Sequence, residues 1–508
     1  MSSAETQTAT GKMPRQIPYI IANEGCERFS FYGMRNILTP FLISTLLLMI
    51  PIDQRTGEAK HVFHTFVIGV YFFPLLGGWL ADRFFGKYNT IFWLSLVYCA
   101  GHACLALFEN SVNGFYFGLF LIAFGSGGIK PLVASFVGDQ FDQTNKHKAK
   151  LVFDLFYWII NFGSFFASLL MPMFLRDFGP SIAFGIPGLM MLAATLVFWM
   201  GAKKYVHVPP APPNPDSFTR VARTALLARV DGGSRPGLYV AYVGVIGALY
   251  AFYSIPEWGF VIAACTALVL LLAFGSIGTA MQLERARGIH PDEAVEGVRA
   301  VLRILVIFAL VTPFFSLFDQ KASTWIVQAN TMEKPSWFLP AQMQALNPML
   351  NRFGLEATAL RRMTAGIGFS SLAWIVIGLL QLALDSGNAV SIMWQILPYA
   401  LLTFGEVLVS ATGLEFAYSQ APVSMKGAIM SFWNLSTTVG NLWVLIVNRS
   451  VMNEGVIGKI AESGISVTAF QMFFFAAFAA VAMLAFGLYA RNYKMVDNYR
   501  QAAVPAKA

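Results

Sequence analysis

Thirteen predominantly apolar stretches recur along the 508 residues, near 17–49, 61–80, 88–108, 114–136, 151–174, 181–201, 237–255, 259–281, 301–328, 363–384, 390–417, 427–449 and 468–490. A helix needs roughly 20 apolar residues to cross about 30 Å of hydrocarbon. Lipid offers no hydrogen bonds to the backbone, so such segments must be helices that satisfy their own N–H and C=O groups. The succession predicts an all-α polytopic membrane protein. Composition agrees, with 56% hydrophobic and only 12% charged residues. The formal charge of +8 is spread over short loops rather than gathered on one face, which argues for membrane orientation and against nucleic acid. Cys26, Cys99, Cys104 and Cys265 lie inside apolar runs without metal-ligand spacing, so they read as small core residues. The first run carries Glu24, Glu27 and Arg28, which is unlike the core of a cleaved signal peptide, and a cytoplasmic amino terminus is expected.

Basic residues mark the cytoplasmic side: Lys12 and Arg15, Arg83 and Lys87, Lys146 to Lys150, Lys203 to Arg235, and Arg285 to Arg303. The expected organisation is an amino-terminal six-helix bundle over 1–204, a Pro-rich and basic linker over 205–236, and an inserted helical hairpin over 237–281. A cytoplasmic connector at 282–300, a carboxyl-terminal bundle over 301–490 and a cytoplasmic tail at 491–508 follow. Between 328 and Arg361 the chain must return to the cytoplasm, yet Trp337 to Leu350 is short and broken by Pro340, Asn347 and Pro348. Fourteen helical residues reach about 21 Å, less than the hydrocarbon core. A span truncated near 337–353 is therefore expected.

Chemistry concentrates in the first run. Glu24, Glu27, Arg28, Tyr32 and Arg35 recur at spacings that share one helix face. A charge at the centre of a membrane helix costs roughly 2.5–3.5 kcal/mol on insertion scales, so this face should meet partners or water. Two acids and one base leave a carboxylate in excess, which suits a proton site; a neutralised structural ion pair is the alternative. Lys130 stands in an apolar span and needs a carboxylate or ligand, unless it snorkels. Asp319 and Glu406 are the charges deep in the second half. His64 and His61 lack a third ligand, so no metal is expected.

Three segments resemble one family. Glu24-Gly-Cys-Glu27-Arg28-Phe29 is similar to the E-x-x-E-R-F opening of the proton-coupled oligopeptide transporters of the major facilitator superfamily. Gly78-Trp-Leu-Ala-Asp82-Arg83-Phe-Phe-Gly86-Lys87 looks like the superfamily's loop between the second and third helices, and Phe156-Tyr157-Trp-Ile-Ile-Asn161-Phe-Gly163-Ser164 like the family's fifth-helix signature. The hairpin is similar to the one many prokaryotic members insert between their halves. The resemblance implies two six-helix bundles and an eighth helix that is here incomplete.

It also implies roles. Glu24, Glu27, Arg28 and Lys130 would couple protons, with Asp319 as a second proton-linked or gate residue. His64 would handle protons or make a structural hydrogen bond. Arg35 and Lys130 would hold the peptide carboxylate and Glu406 the amino end. Asn161 and Asn347 would be polar partners of the peptide, and Tyr32, Tyr71, Tyr157 and Trp433 aromatic pocket residues, with ordinary packing as the alternative for each aromatic. Asp82, Arg83 and Glu415 would serve gating, Glu415 otherwise being an interface charge. The expected function is a monomeric, non-enzymatic symporter of di- and tripeptides in the cytoplasmic membrane, the inner one if the source is Gram-negative. Both termini would be cytoplasmic, and the proton would be coupling ion with no other cofactor. A nitrate or other small-anion symporter, or a non-transporting sensor or remnant, are the alternatives.

Overall fold

The computed structural model describes residues 13–141, 145, 148–210, 214–229, 233–345, 358–413, 416, 420 and 426–493. These residues are predominantly helical, and the only strand-like feature among them is an isolated bridge between Arg287 and His290. Asn347 and Glu415 lie outside the described residues, as does the second part, 346–353, of the stretch expected to hold the shortened span.

The chain begins with α1 (Ile17–Phe41), α2 (Ile52–Leu80), α3 (Gly86–Leu107), α4 (Val112–Ile129), α5 (Leu132–Asp139), α6 (Ala149–Phe178) and α7 (Pro180–Met200). A short α8 (Phe218–Leu227) precedes the hairpin of α9 (Pro236–Tyr253), α10 (Ile255–Trp258) and α11 (Phe260–Gln282). Then come α12 (Asp292–Asp319), α13 (Thr324–Asn330), a 3₁₀ turn (Pro340–Ala345), α14 (Ala359–Asp385) and α15 (Ile396–Glu406). The chain closes with α16 (Lys426–Ser450), α17 (Glu454–Glu462) and α18 (Val467–Asn492). Helix α12 starts well before the apolar run expected at 301, because Pro291 sets its start and Asp292 and Glu293 complement the positive end of its dipole.

Among the described residues ten helical stretches are long and apolar enough to cross a membrane, one of them holding both α2 and α3. Helices α1 and α16 do not qualify. The first carries Glu24, Glu27, Arg28 and Arg35, and the second Asn434, Ser436, Thr437, Thr438 and Asn441. Helices too polar for lipid have to be shielded by protein, which directs attention to what they face.

The described residues form two compact units, one within 1–212 and 322–350, the other within 213–321 and 351–508. In the first, Phe41, Phe115 and Phe184 interlock at centroid separations of 4.9, 4.9 and 5.2 Å, joining α1, α4 and α7. In the second, Trp374 of α14 packs on Phe475 of α18 at 5.6 Å and donates its indole N–H to the Leu317 carbonyl of α12 at 3.3 Å.

Helix direction in the second unit follows from two contacts. Ser466, at the start of α18, donates to Asp385 at the end of α14 (2.5 Å), while Tyr489 near the other end of α18 donates to the Arg303 carbonyl (3.2 Å). Arg361 and Arg362 therefore stand at the same end as Arg303 and the basic segment that precedes it.

Candidate functional site

In the first unit, α1 supplies the centre of the site. Its neighbours can come close because glycine lines the crossings. A Cβ on Gly163 of α6 would stand 2.9 Å from the Gly25 carbonyl oxygen and 3.2 Å from the Phe29 nitrogen, and one on Gly127 would stand 2.6 Å from the Phe73 carbonyl oxygen. Backbone thus meets backbone at α1–α6 and α2–α4, on either side of the charged face.

On that face Arg28 Nε stands 2.6 Å from Glu24 Oε1 and 3.2 Å from Glu27 Oε2. Both carboxylates are fully buried and the arginine side chain is 13% exposed. Glu27 accepts no hydrogen bond of good geometry, and Glu24 Oε2 is equally unsatisfied. Two carboxylates against one guanidinium leave one negative charge that a proton can neutralise.

Lys130 follows the last residue of α4 and precedes Pro131; its backbone is still helical, its N–H bonding the Ser126 carbonyl at 3.0 Å. Its ammonium lies 3.7 Å above the Phe31 ring and 4.7 Å from that of Tyr71. Such aromatic faces stabilise a desolvated cation by about 2 kcal/mol. The charge is close enough for its field to act on Glu24. Tyr32 packs edge-on against Phe31 at 5.4 Å. The structure thus gathers Glu24, Glu27, Arg28, Tyr32, Tyr71 and Lys130.

Arg35, two turns further along α1, is 5% exposed with its guanidinium 5.3 Å from the Phe63 ring. The next residue, His64, is fully buried, and its Nε2 shares a 3.0 Å hydrogen bond with Ser323 Oγ. On α6, Tyr157 is exposed, and Asn161 donates to the Tyr157 carbonyl at 2.9 Å. Asp82 and Arg83 are exposed on a π-turn, Ala81–Phe85, which Gly86 ends with a φ of 73°. The ion pair there joins Lys87 to Asp139 at 2.7 Å.

The second unit holds Asp319, Glu406 and Trp433. Asp319 is 2% exposed and accepts a 2.8 Å hydrogen bond from Asn441 Nδ2. Trp433 is edge-on to both Phe308 (5.3 Å) and Phe315 (5.6 Å). Glu406 ends α15 where the helix widens into a π-turn, Val407–Ala411, an irregularity frequent at functional sites.

Comparison with known proteins decides the family. The model described as the POT family matches residues 88–462. The chain belongs to the POT family.

Relatives of this POT chain include mouse solute carrier family 15 member 2 and peptide transporter family 1 of Caenorhabditis elegans, each 32% identical over 408 and 405 residues. Both alignments cover 73% of the chain, and 49% and 45% of the relatives. The chain thus spans about half the length of the curated relatives it matches. Among solved structures, that of an auto-inhibited POT family peptide transporter is 65% identical with a TM-score of 0.93, covering 96% of this chain and 99% of that one. The POT family transporter PepTSo is 64% identical, also at 0.93, over 96% and 100% of the two chains. The fold is that of POT transporters in the major facilitator superfamily.

Several polar residues of this POT chain escaped the sequence reading. Ser30 bonds His102 Nε2 at 2.9 Å, Asn23 donates to the Ala194 carbonyl at 3.0 Å, and Asn36 donates to Ser168 Oγ at 2.6 Å. These tie α1 to α3, α7 and α6 in turn. Asn441 was also missed, although a run of Asn, Ser and Thr in an otherwise apolar helix is a readable sign of buried partners.

Proposed function

We propose that this protein is a proton-coupled symporter of di- and tripeptides working by alternating access. One observation carries the reading: Arg28 is shared by two fully buried carboxylates, Glu24 and Glu27, within a membrane helix. The excess negative charge makes proton uptake favourable there, and a bound carboxylate drawn to nearby cations changes that balance. In this reading Glu24, Glu27, Arg28 and Lys130 couple the proton, which is the only cofactor. Arg35 and Lys130 take the peptide carboxylate, and Glu406 takes the amino group. Tyr32, Tyr71, Tyr157, Asn161 and Trp433 shape the pocket, Asp319 and His64 form a second proton-linked or gating set, and Asp82 and Arg83 serve gating. The chain acts as a monomer in the cytoplasmic membrane with both termini inside. The names of its relatives, peptide transporters among them, support the substrate class.

Proteoliposomes with an inward proton gradient and an internal pH reporter test this. Dialanine should accelerate acidification and nitrate should not. Acidification with nitrate alone, or with neither, refutes the proposal.

A further inference from the structure

The inserted hairpin is closely packed within itself and loosely packed against the bundle beside it. Glycines draw α9 and α11 together: Gly244 faces the Leu270 carbonyl of α11, where a Cβ would stand 2.9 Å away, and the Gly237 nitrogen donates to Gln282 Oε1 at 2.8 Å. Between α11 and α16, by contrast, two cavities lie one above the other.

The upper one, of about 700 Å³, opens at the turn of the hairpin and the end of α16. Its polar walls are Glu257, Thr266, Arg449 and Ser450. Among the described residues neither Glu257 nor Arg449 has an ion-pair partner, and they do not pair with each other. The Thr266 hydroxyl is buried without a hydrogen bond. The lower cavity, of about 380 Å³, continues between α11, α12 and α16 and is lined by side chains such as Leu272, Ile277, Val306 and Val439. From Ile262 to Ile277 on α11 the two together extend about 22 Å at 1.5 Å per residue. That length is one headgroup plus one leaflet of a bilayer whose hydrocarbon core is about 30 Å thick.

We infer that this groove is a binding site for a single zwitterionic phospholipid with a primary ammonium, of the phosphatidylethanolamine class. The Arg449 guanidinium receives the phosphate, for which its planar fork is suited. Glu257 receives the ammonium, the Thr266 hydroxyl donates to an ester carbonyl, and an acyl chain fills the lower cavity. The charge pattern selects this occupant. An anionic lipid without an amine, such as phosphatidylglycerol, leaves Glu257 without a cation, and a soluble zwitterion leaves the apolar half of the groove empty. In a bilayer no hydrophobic driving force closes a gap between apolar helix faces that lipid fills equally well, so the seam remains open to such a wedge.

Native mass spectrometry of the purified full chain, given equal amounts of phosphatidylethanolamine and phosphatidylglycerol, tests the inference. The ethanolamine lipid should be retained preferentially. Arg449→Gln should cut its retention roughly tenfold, the scale of one charge-assisted contact. Glu257→Gln should narrow the preference over phosphatidylglycerol, and Val439→Trp should reduce retention of both lipids by filling the groove. Thermal melting of each lipid-free variant separates these effects from misfolding, and the two charge variants lie on exposed positions that folding does not require. Equal retention of both lipids unaffected by Arg449→Gln and Glu257→Gln overturns the site. Displacement of the lipid by millimolar dialanine also overturns it, by assigning the pocket to soluble zwitterions.

Discussion

Arg28 holds two buried acids that have no other cation within salt-bridge distance among the contacts described above. Removing one member of a buried ionic set costs about 3–5 kcal/mol, because the remaining charge stays desolvated. Arg28→Gln should therefore lower the melting temperature in detergent markedly, and adding Glu24→Gln should recover part of the loss. A double variant as unstable as Arg28→Gln alone would contradict the shared-charge picture. Lys130 follows a different rule. Its ammonium lies over the faces of Phe31 and Tyr71, which two other helices contribute. The sequence shows the charge but not the rings, since Phe31 and Tyr71 are two among many aromatics in a chain that is 15% aromatic.

Among the elements, α1 depends on close approach. Gly163→Ala would put a methyl group against the Gly25 carbonyl and the Phe29 nitrogen, and backbone cannot yield as a side chain can. The expected loss is about 1–3 kcal/mol, as for overpacking in a full core. Gly275→Ala in α11 is the control: nothing lies within 4 Å of its added Cβ. Better helix propensity should there give a gain of about 0.5–1 kcal/mol. Melting of the two variants side by side checks both signs, and a similar response from each would show that the α1–α6 crossing is not tight. Nothing in the local sequence separates these glycines, because both sit in apolar helical runs. Only the neighbouring helix distinguishes them.

At the scale of the whole molecule, the segments that flank the inserted hairpin are pinned rather than trailing. His290 Nδ1 bonds Asp216 at 2.7 Å and its Nε2 bonds Thr224 at 2.9 Å, fastening α8 to the stretch that precedes α12. Gln282 adds hydrogen bonds to the carbonyls of Ala225, Leu226 and Ala228. His290→Ala should make trypsin cleavage after Arg220 and Arg223 several-fold faster, since local opening controls proteolysis. An unchanged rate would mean that the Gln282 contacts suffice. Orientation is testable too. Arg361 and Arg303 share one end of the second unit, so under the proposed orientation a cysteine at 361 should react only with a reagent that reaches the cytoplasm. Labelling from outside would reverse the proposed orientation.

Hydrophobic periodicity and charge placement, which belong to single segments, were enough to establish a helical membrane protein. They also picked out α1 as the candidate site's starting point, because a charge in lipid is costly wherever the chain later folds. Tertiary structure alone decided the partners: Asn441 for Asp319, Ser323 for His64, Asp139 for Lys87, and the rings that hold Lys130. Those contacts join residues far apart in the chain, and their energies depend on distances that arise only when helices pack.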